Sequence, residues 1–123
     1  ITEVIGQVNK LLSDPELEYL FSAQSKAEVP IVGKINDRII SGKIDRLVVT
    51  DELITIVDYK TNKAVPHQVQ NVNRGYLFQL AAYYLCIADA YPKTEIKCLL
   101  LWTRGPVPMH IPNNVLENIW KST

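Results

Sequence analysis

The stretch Gly42-Lys43-Ile44-Asp45-Arg46-Leu47-Val48-Val49-Thr50-Asp51-Glu52-Leu53-Ile54-Thr55-Ile56-Val57-Asp58-Tyr59-Lys60 decides the fold. Residues 43–50 and 53–59 are apolar runs rich in Ile, Val, Leu and Thr, side chains that suit a pleated, half-buried strand. Between them the polar pair Asp51-Glu52 suits a tight reversal, so the stretch reads as a hairpin. With those two as the loop, Thr50 faces Leu53, Val49 faces Ile54, and Asp45 faces Asp58. Directly opposed Cβ atoms are about 5 Å apart, where two like charges are destabilising by up to about 1 kcal/mol. A hard divalent cation reverses that sign, because such ions bind one or two carboxylates together with phosphate oxygens. Lys60 follows Asp58 by two residues, so strand alternation projects it from the same face. The hairpin therefore gathers Asp45, Asp58 and Lys60 around one point. Taken singly, Asp45-Arg46 reads as a strand-end ion pair and Asp58-Tyr59-Lys60 as the solvated end of an edge strand. The opposition of two carboxylates with a same-face lysine favours a metal site instead.

Composition bounds what such a site could serve. Thirteen basic residues balance thirteen acidic ones over 123 residues, so no global basic field announces nucleic acid and any polyanion binding is local. The length suits one domain with its own core, residues 1–123. The chain opens at Ile1 inside a helical pattern, which reads as a piece of a longer protein. No apolar stretch approaches the ~20 residues that span a bilayer, and no targeting segment is visible. Cys86 and Cys98 lack Cys-x-x-Cys spacing, which excludes a zinc site or a four-cysteine iron–sulfur cluster within this segment. They read as buried reduced thiols of a cytoplasmic protein. His67 and His110 have no ligand spacing and read as loop and strand-edge residues.

The remaining elements follow from periodicity. Val4, Ile5, Val8, Leu11 and Leu12 give Thr2 to Leu12 helical spacing, and Asp14-Pro15-Glu16 is a helix start leading to a short helix ending near Phe21. Ala27 to Ile35 is a strand interrupted by Pro30. A polar loop, 61–73, precedes a helix from Tyr76 to Tyr91 whose apolar stripe is Leu77, Leu80, Ala81, Tyr84, Leu85 and Ala88, with Gln79 and Tyr83 on a neighbouring face. Pro92 ends it. Ile96 to Trp102 reads as a strand covered on both faces, reached by a right-handed crossover and parallel to the hairpin strand. A short strand near Val107 to Ile111 and a last helix through Trp120, capped by Asn113 or Asn114, complete the chain. The class is α/β, a mixed sheet combining an antiparallel hairpin with a parallel crossover strand and flanked by helices.

The order Glu28, Gly42-x-x-Asp45-Arg46, Asp58-Tyr59-Lys60-Thr61 and Gln79-x-x-x-Tyr83 resembles the RecB-type branch of the PD-(D/E)XK nucleases. Leu20-Phe21, Ala27-Glu28-Val29-Pro30, Asp58-Tyr59-Lys60-Thr61-Asn62 and Leu100-Leu101-Trp102-Thr103 with Gly105-Pro106 are similar to the C-terminal nuclease domains of AddA-type helicase–nucleases of double-strand-break repair. The resemblance implies a restriction-endonuclease-like core and Mg²⁺-dependent hydrolysis of DNA, as an exonuclease, with Mn²⁺ able to substitute. It implies that Asp45, Asp58 and the Tyr59 carbonyl hold the metal and that Lys60 positions the attacking water. Glu28, Thr61, Gln79 and Tyr83 would support the site or contact the cut strand. Lys34, Arg38, Lys43, Arg46, Lys63 and Arg74 would line a local phosphate path with Lys60. The implied partners are DNA, helicase domains of the same chain and a second, AddB-like subunit. The RecB-type pattern also has a metal-binding His upstream of the position of Glu28, and both histidines here lie downstream. The expectation is a segment that begins after that His, and an isolated fragment that binds metal poorly. Two other readings compete: a non-catalytic DNA-binding or subunit-docking module on the same fold, and an unrelated interaction domain whose hairpin register is off by one.

Overall fold

A computed structural model describes residues 18–62, 64–104 and 106–122. Five strands run in the order β1 (Ser25–Ile35), β2 (Arg38–Val49), β3 (Leu53–Lys60), β4 (Glu95–Trp102) and β5 (Val107–Ile111), each beside the next in one sheet. All neighbours are antiparallel except β3 and β4, which are parallel and joined through α1 (Arg74–Ala90). A second helix, α2 (Asn113–Lys121), follows β5. This is the mixed, helix-flanked sheet that the hairpin and crossover patterns predict. The helix expected over Thr2 to Leu12 and the start of the one expected from Asp14 lie outside the described residues; the expected end of the second, Glu18 and the 3-10 turn Tyr19–Phe21, is helical and precedes β1.

The β2–β3 register is the predicted one, with Val49 opposite Ile54 and Arg46 opposite Val57. It excludes the off-by-one alternative. Thr50 N–H donates to the Leu53 carbonyl at 2.9 Å and closes the loop end. The preceding β1–β2 hairpin turns at Asn36-Asp37, both with positive φ (48° and 68°), the backbone of a two-residue primed turn.

Two cores sandwich the sheet. On one face α1 and α2 cover Ile44, Ile54, Ile56, Leu100 and Trp102; on the other, Leu20 of the 3-10 turn seals Val48, Val57, Leu99 and Leu101. Strand β4 is thus covered on both sides, as its continuous apolar run requires. Cys86 and Cys98 are free and buried.

Three local readings are corrected. Helix α1 is rotated from the predicted stripe: Tyr83, Cys86 and Ile87 are buried, while Tyr84, Leu85 and Ala88 are only partly so. The cause is α2, which packs along a second side of α1 and shares its apolar surface. Neither asparagine caps α2: Pro112 holds the cap position without a side-chain bond, and Asn113 Nδ2 instead donates to the Ile96 carbonyl at 3.0 Å. Helix α1 begins at Arg74 rather than Tyr76, because the Asn73 side chain accepts the Gly75 N–H at 2.8 Å and caps it.

Candidate active site

The sheet changes its pleat phase where the carboxylates sit. Ile40 and Ile44 of β2 share the helix-side core with Leu47, an odd spacing that an unbroken alternation cannot produce. In β1 the partner rungs run from Ser25–Val48 to Ile35–Arg38 with one gap, at Glu28 opposite Asp45. Glu28 there has φ 51°, a left-handed conformation uncommon for a glutamate inside a strand. The break lets Asp45 turn toward β3. The alternation set at Thr50–Leu53 makes Tyr59 N–H the next donor facing β2, and Asp45 Oδ2 accepts it at 2.8 Å. A side-chain carboxylate so replaces a backbone carbonyl at the end of the ladder.

Asp58 is the next residue of β3 toward the core, its side chain 9% exposed, and Lys60 Nζ lies 2.7 Å from its Oδ2 with 12% exposure. The Lys60 ammonium is thus the charged partner of a buried Asp58 oxygen. Burial, then the hydrogen bond that a protonated Asp58 gives to the Asp45 carboxylate, push the Asp58 carboxyl up to about 6, against the lowering effect of Lys60. Two carboxyls this close cannot both ionise freely, so the pair is set to hold a proton or a cation.

Around this point the neighbours are aromatic and backbone groups. The Lys60 ammonium lies 4.0 Å from the centre of the Tyr76 ring, a cation–π contact with the first turn of α1. Asn62 Nδ2 donates to the Tyr76 hydroxyl at 3.2 Å. Behind the site, Arg46 Nε donates to the Tyr59 hydroxyl at 2.8 Å and Arg46 Nη1 to Ser25 Oγ at 2.9 Å, with the guanidinium 4.7 Å from the Phe21 ring centre. The end of β3 is tied to β4 and its following turn by Thr103 N–H on the Lys60 carbonyl (2.9 Å) and Arg104 Nε on the Thr61 carbonyl (2.8 Å).

The structure therefore brings Asp45, Asp58, Tyr59 and Lys60 together and sorts the other expected residues. Tyr83 stands one turn from Gln79, as expected, but is buried against Gly42, where a Cβ would meet its hydroxyl at 2.6 Å. A glycine inside a β-branched strand is the sequence signal of such close approach. Gln79 is exposed and reaches Tyr83 with Nε2 3.3 Å from the hydroxyl. Thr61 is exposed and joins through its carbonyl. Glu28 is exposed, opposite Asp45, with no hydrogen bond or ion pair among the described residues. Of the expected phosphate path, Lys43 is exposed, Arg46 is engaged behind Tyr59, and Lys63 is not among the described residues. Tyr76 and Asn62 were not singled out as site residues from sequence; an aromatic in the first turn after an Asp-x-Lys strand is the signal that points to the former.

A carboxylate pair and a lysine at the carboxyl end of a central strand, in a five-stranded mixed sheet flanked by helices, define the restriction-endonuclease-like class of α/β fold. The sequence matches the PD-(D/E)XK nuclease superfamily over residues 7–109. The chain belongs to that superfamily. Among solved structures, the crystal structure of SSO0001 matches with a TM-score of 0.49 and 11% identity, over 97% of this chain and 55% of that one. The chain thus spans about half the length of that protein. No curated protein matches it.

Proposed function

We propose that this chain is a Mg²⁺-dependent deoxyribonuclease domain that hydrolyses DNA phosphodiesters at the Asp45–Asp58–Lys60 cluster. The observation that carries the reading is the buried Asp58 carboxyl, set beside a second carboxylate and 2.7 Å from an ammonium. That donor set is all-oxygen and anionic, which fits a hard cation. Asp45, Asp58 and the Tyr59 carbonyl would hold Mg²⁺, or Mn²⁺ in its place. When bound, the ion supplies a more acidic water and partial neutralisation of the phosphate.

The chain's own groups do the rest. Asp45, anchored by the Tyr59 N–H, sets the spacing between the two carboxylates. Lys60, held between Asp58 and the Tyr76 ring, presents a point charge to a phosphate oxygen and orients the water. Tyr83 and Gly42 keep α1 close to β2, and Gln79, Thr61 and Glu28 stand at the rim as support or substrate contacts. Within the superfamily, the motifs favour an AddA-like exonuclease of double-strand-break repair, fed by helicase domains of its own chain and an AddB-like partner in the cytoplasm. Among the described residues no helix is long and apolar enough to cross a membrane.

Labelled single- and double-stranded DNA incubated with the protein and Mg²⁺ or Mn²⁺ tests the reading. Cutting that disappears in Lys60→Ala, with DNA binding retained, supports it. DNA binding without cutting under either metal, unaltered by Asp45→Asn or Asp58→Asn, transfers the chain to the non-catalytic docking module.

A further inference from the structure

Beyond the carboxylates, at the carboxyl ends of the parallel strands β3 and β4, lies an open cavity of about 340 Å³. Crevices at this end of parallel strands are where α/β sheets take ligands, and the volume is at the small end of the ligand-pocket range. A larger cavity, about 630 Å³ beside Leu53 and Glu95, lies at the opposite end of β3, away from Lys60. We infer that the smaller cavity is a nucleobase pocket, which receives one unstacked base of single-stranded DNA next to the phosphate held at Lys60. The inference rests on the nuclease reading above.

The wall chemistry argues for a base rather than a second phosphate. Among the described residues no charged side chain lines the cavity; its polar side-chain groups are the amides of Asn62, Asn71 and Asn73 and the Tyr76 hydroxyl, and the remainder is apolar or aromatic, with buried Trp102 and the half-buried Tyr76 ring among it. A carboxamide offers one acceptor and two donors, the complement of a base edge and not of an anion. Two of the three amides are partly committed. Asn62 gives one N–H to the Tyr76 hydroxyl and Asn73 gives its oxygen to the Gly75 N–H. Asn62 therefore retains its oxygen and Asn73 its amino group, so acceptor and donor capacity are both present and fixed in place.

Tyr76 links the two halves of the site. Its ring is 4.0 Å from Lys60 Nζ and also lines the cavity. A nucleotide whose phosphate meets the ammonium so has its base directed along the same ring toward the amides of the pocket. Single-stranded bases are held by aromatic contact with hydrogen bonds to their edges, whereas a base inside a duplex cannot enter without being extruded. The pocket hence favours single-stranded DNA or a frayed end over intact duplex.

The test measures binding of a short single-stranded oligodeoxynucleotide, without divalent metal, alongside a set in which each position in turn is abasic. One position is expected to lose about five- to a hundred-fold in affinity, the range for removing one stacked base. Ala64 and Asn71 are exposed at the cavity wall, so Ala64→Trp and Asn71→Leu alter the pocket without disturbing the core. Each should weaken the intact oligonucleotide and leave the affinity for the critical abasic one unchanged. Tight binding with equal response to every abasic position, or insensitivity to both variants, overturns the pocket and leaves the nuclease reading standing. Absence of DNA binding, with or without metal, overturns both.

Discussion

Asp45 Oδ2 accepts the backbone N–H of Tyr59 at 2.8 Å, at the rung where the β2–β3 ladder ends. One residue later along β3 from the carboxylate it opposes, this bond fixes Asp45 by a main-chain group rather than a mobile side chain. The arrangement joins two tasks in one residue: it closes the sheet edge and sets the distance to Asp58. Substitutions at Asp45 should separate them.

Asp45→Ala leaves the Tyr59 N–H without its acceptor and should cost about 1–3 kcal/mol in unfolding free energy. Asp45→Asn keeps an oxygen acceptor and should cost less than half as much, while abolishing metal-dependent cutting as fully. Urea denaturation of the two variants beside the cleavage assay checks the split; equal stability loss would mean that the hydrogen bond is not what matters at this position.

Asp58 predicts an inverted pH profile for its own contribution. Burial first, then Asp45, raise its carboxyl from the model-compound 3.8 to about 6, so the folded state holds this proton more tightly than the unfolded one. Its contribution is fully present below pH 3.8 and is lost as pH rises through about 6. Removing the charge in Asp58→Asn should therefore stabilise the fold near pH 7.5, by on the order of 1–3 kcal/mol, and have little effect near pH 4. Unfolding midpoints of both proteins across that range test the sign. A gap that widens toward low pH contradicts it.

Gly42 and Tyr83 form a close packing pair. A Cβ on residue 42 would lie 2.6 Å from the Tyr83 hydroxyl and 3.2 Å from Cε1, and the buried ring has little room to yield. Gly42→Ala should destabilise by about 1–3 kcal/mol, the usual cost of overpacking. Tyr83→Phe removes the nearest atom, so the double variant should recover part of that loss and show non-additivity in a double-mutant cycle. Strict additivity would mean that the two side chains do not meet.

The hairpin register was legible because a two-residue loop and period-2 alternation leave one pairing, and Thr50 opposite Leu53 is its first rung. The parallel placement of Ile96 to Trp102 was legible for a similar reason, since a strand, a helix and a buried strand admit one hand of crossover. What local pattern does not carry is the pleat break. Nothing in Ala27-Glu28-Val29 announces a glutamate at positive φ, because the break belongs to the pairing with β2, at the missing rung opposite Asp45. The face of α1 escaped for a comparable reason: two partners, the sheet and α2, share its surface, and a single-stripe reading chooses between them incorrectly. Asn113 was misread because an asparagine before a helix satisfies the cap pattern, whereas the Ile96 carbonyl draws its amide away.

The turn at Asn36-Asp37 offers a gain. Both residues have positive φ, which Asp tolerates and glycine adopts without steric cost. The Lys34–Asp37 ion pair is 3.8 Å long and its carboxylate is 98% exposed, so losing it costs little. Asp37→Gly should leave stability unchanged or raise it by up to about 1 kcal/mol, read as a higher thermal midpoint with unaltered activity. A clear loss would show that the charge, and not the backbone, governs this turn.

Metal addition is the remaining lever, and it acts through the same carboxylates. Above pH 6 the folded state carries Asp58 ionised against burial and against Asp45, a cost that bound Mg²⁺ removes because it neutralises the pair. A ligand that binds only the folded state stabilises by RT ln(1 + [L]/Kd), about 2.7 kcal/mol at a hundredfold excess over Kd. Millimolar Mg²⁺ or Mn²⁺ at pH 7.5 should therefore raise the thermal midpoint of the protein, and the rise should shrink toward pH 5 as Asp58 takes up its proton in competition with the ion. Asp58→Asn and Asp45→Asn should lose the metal-dependent shift, while Gly42→Ala should retain it despite a lower starting midpoint. A shift of equal size in Asp58→Asn would move the ion elsewhere on the molecule and remove the carboxylate pair from the proposed chemistry.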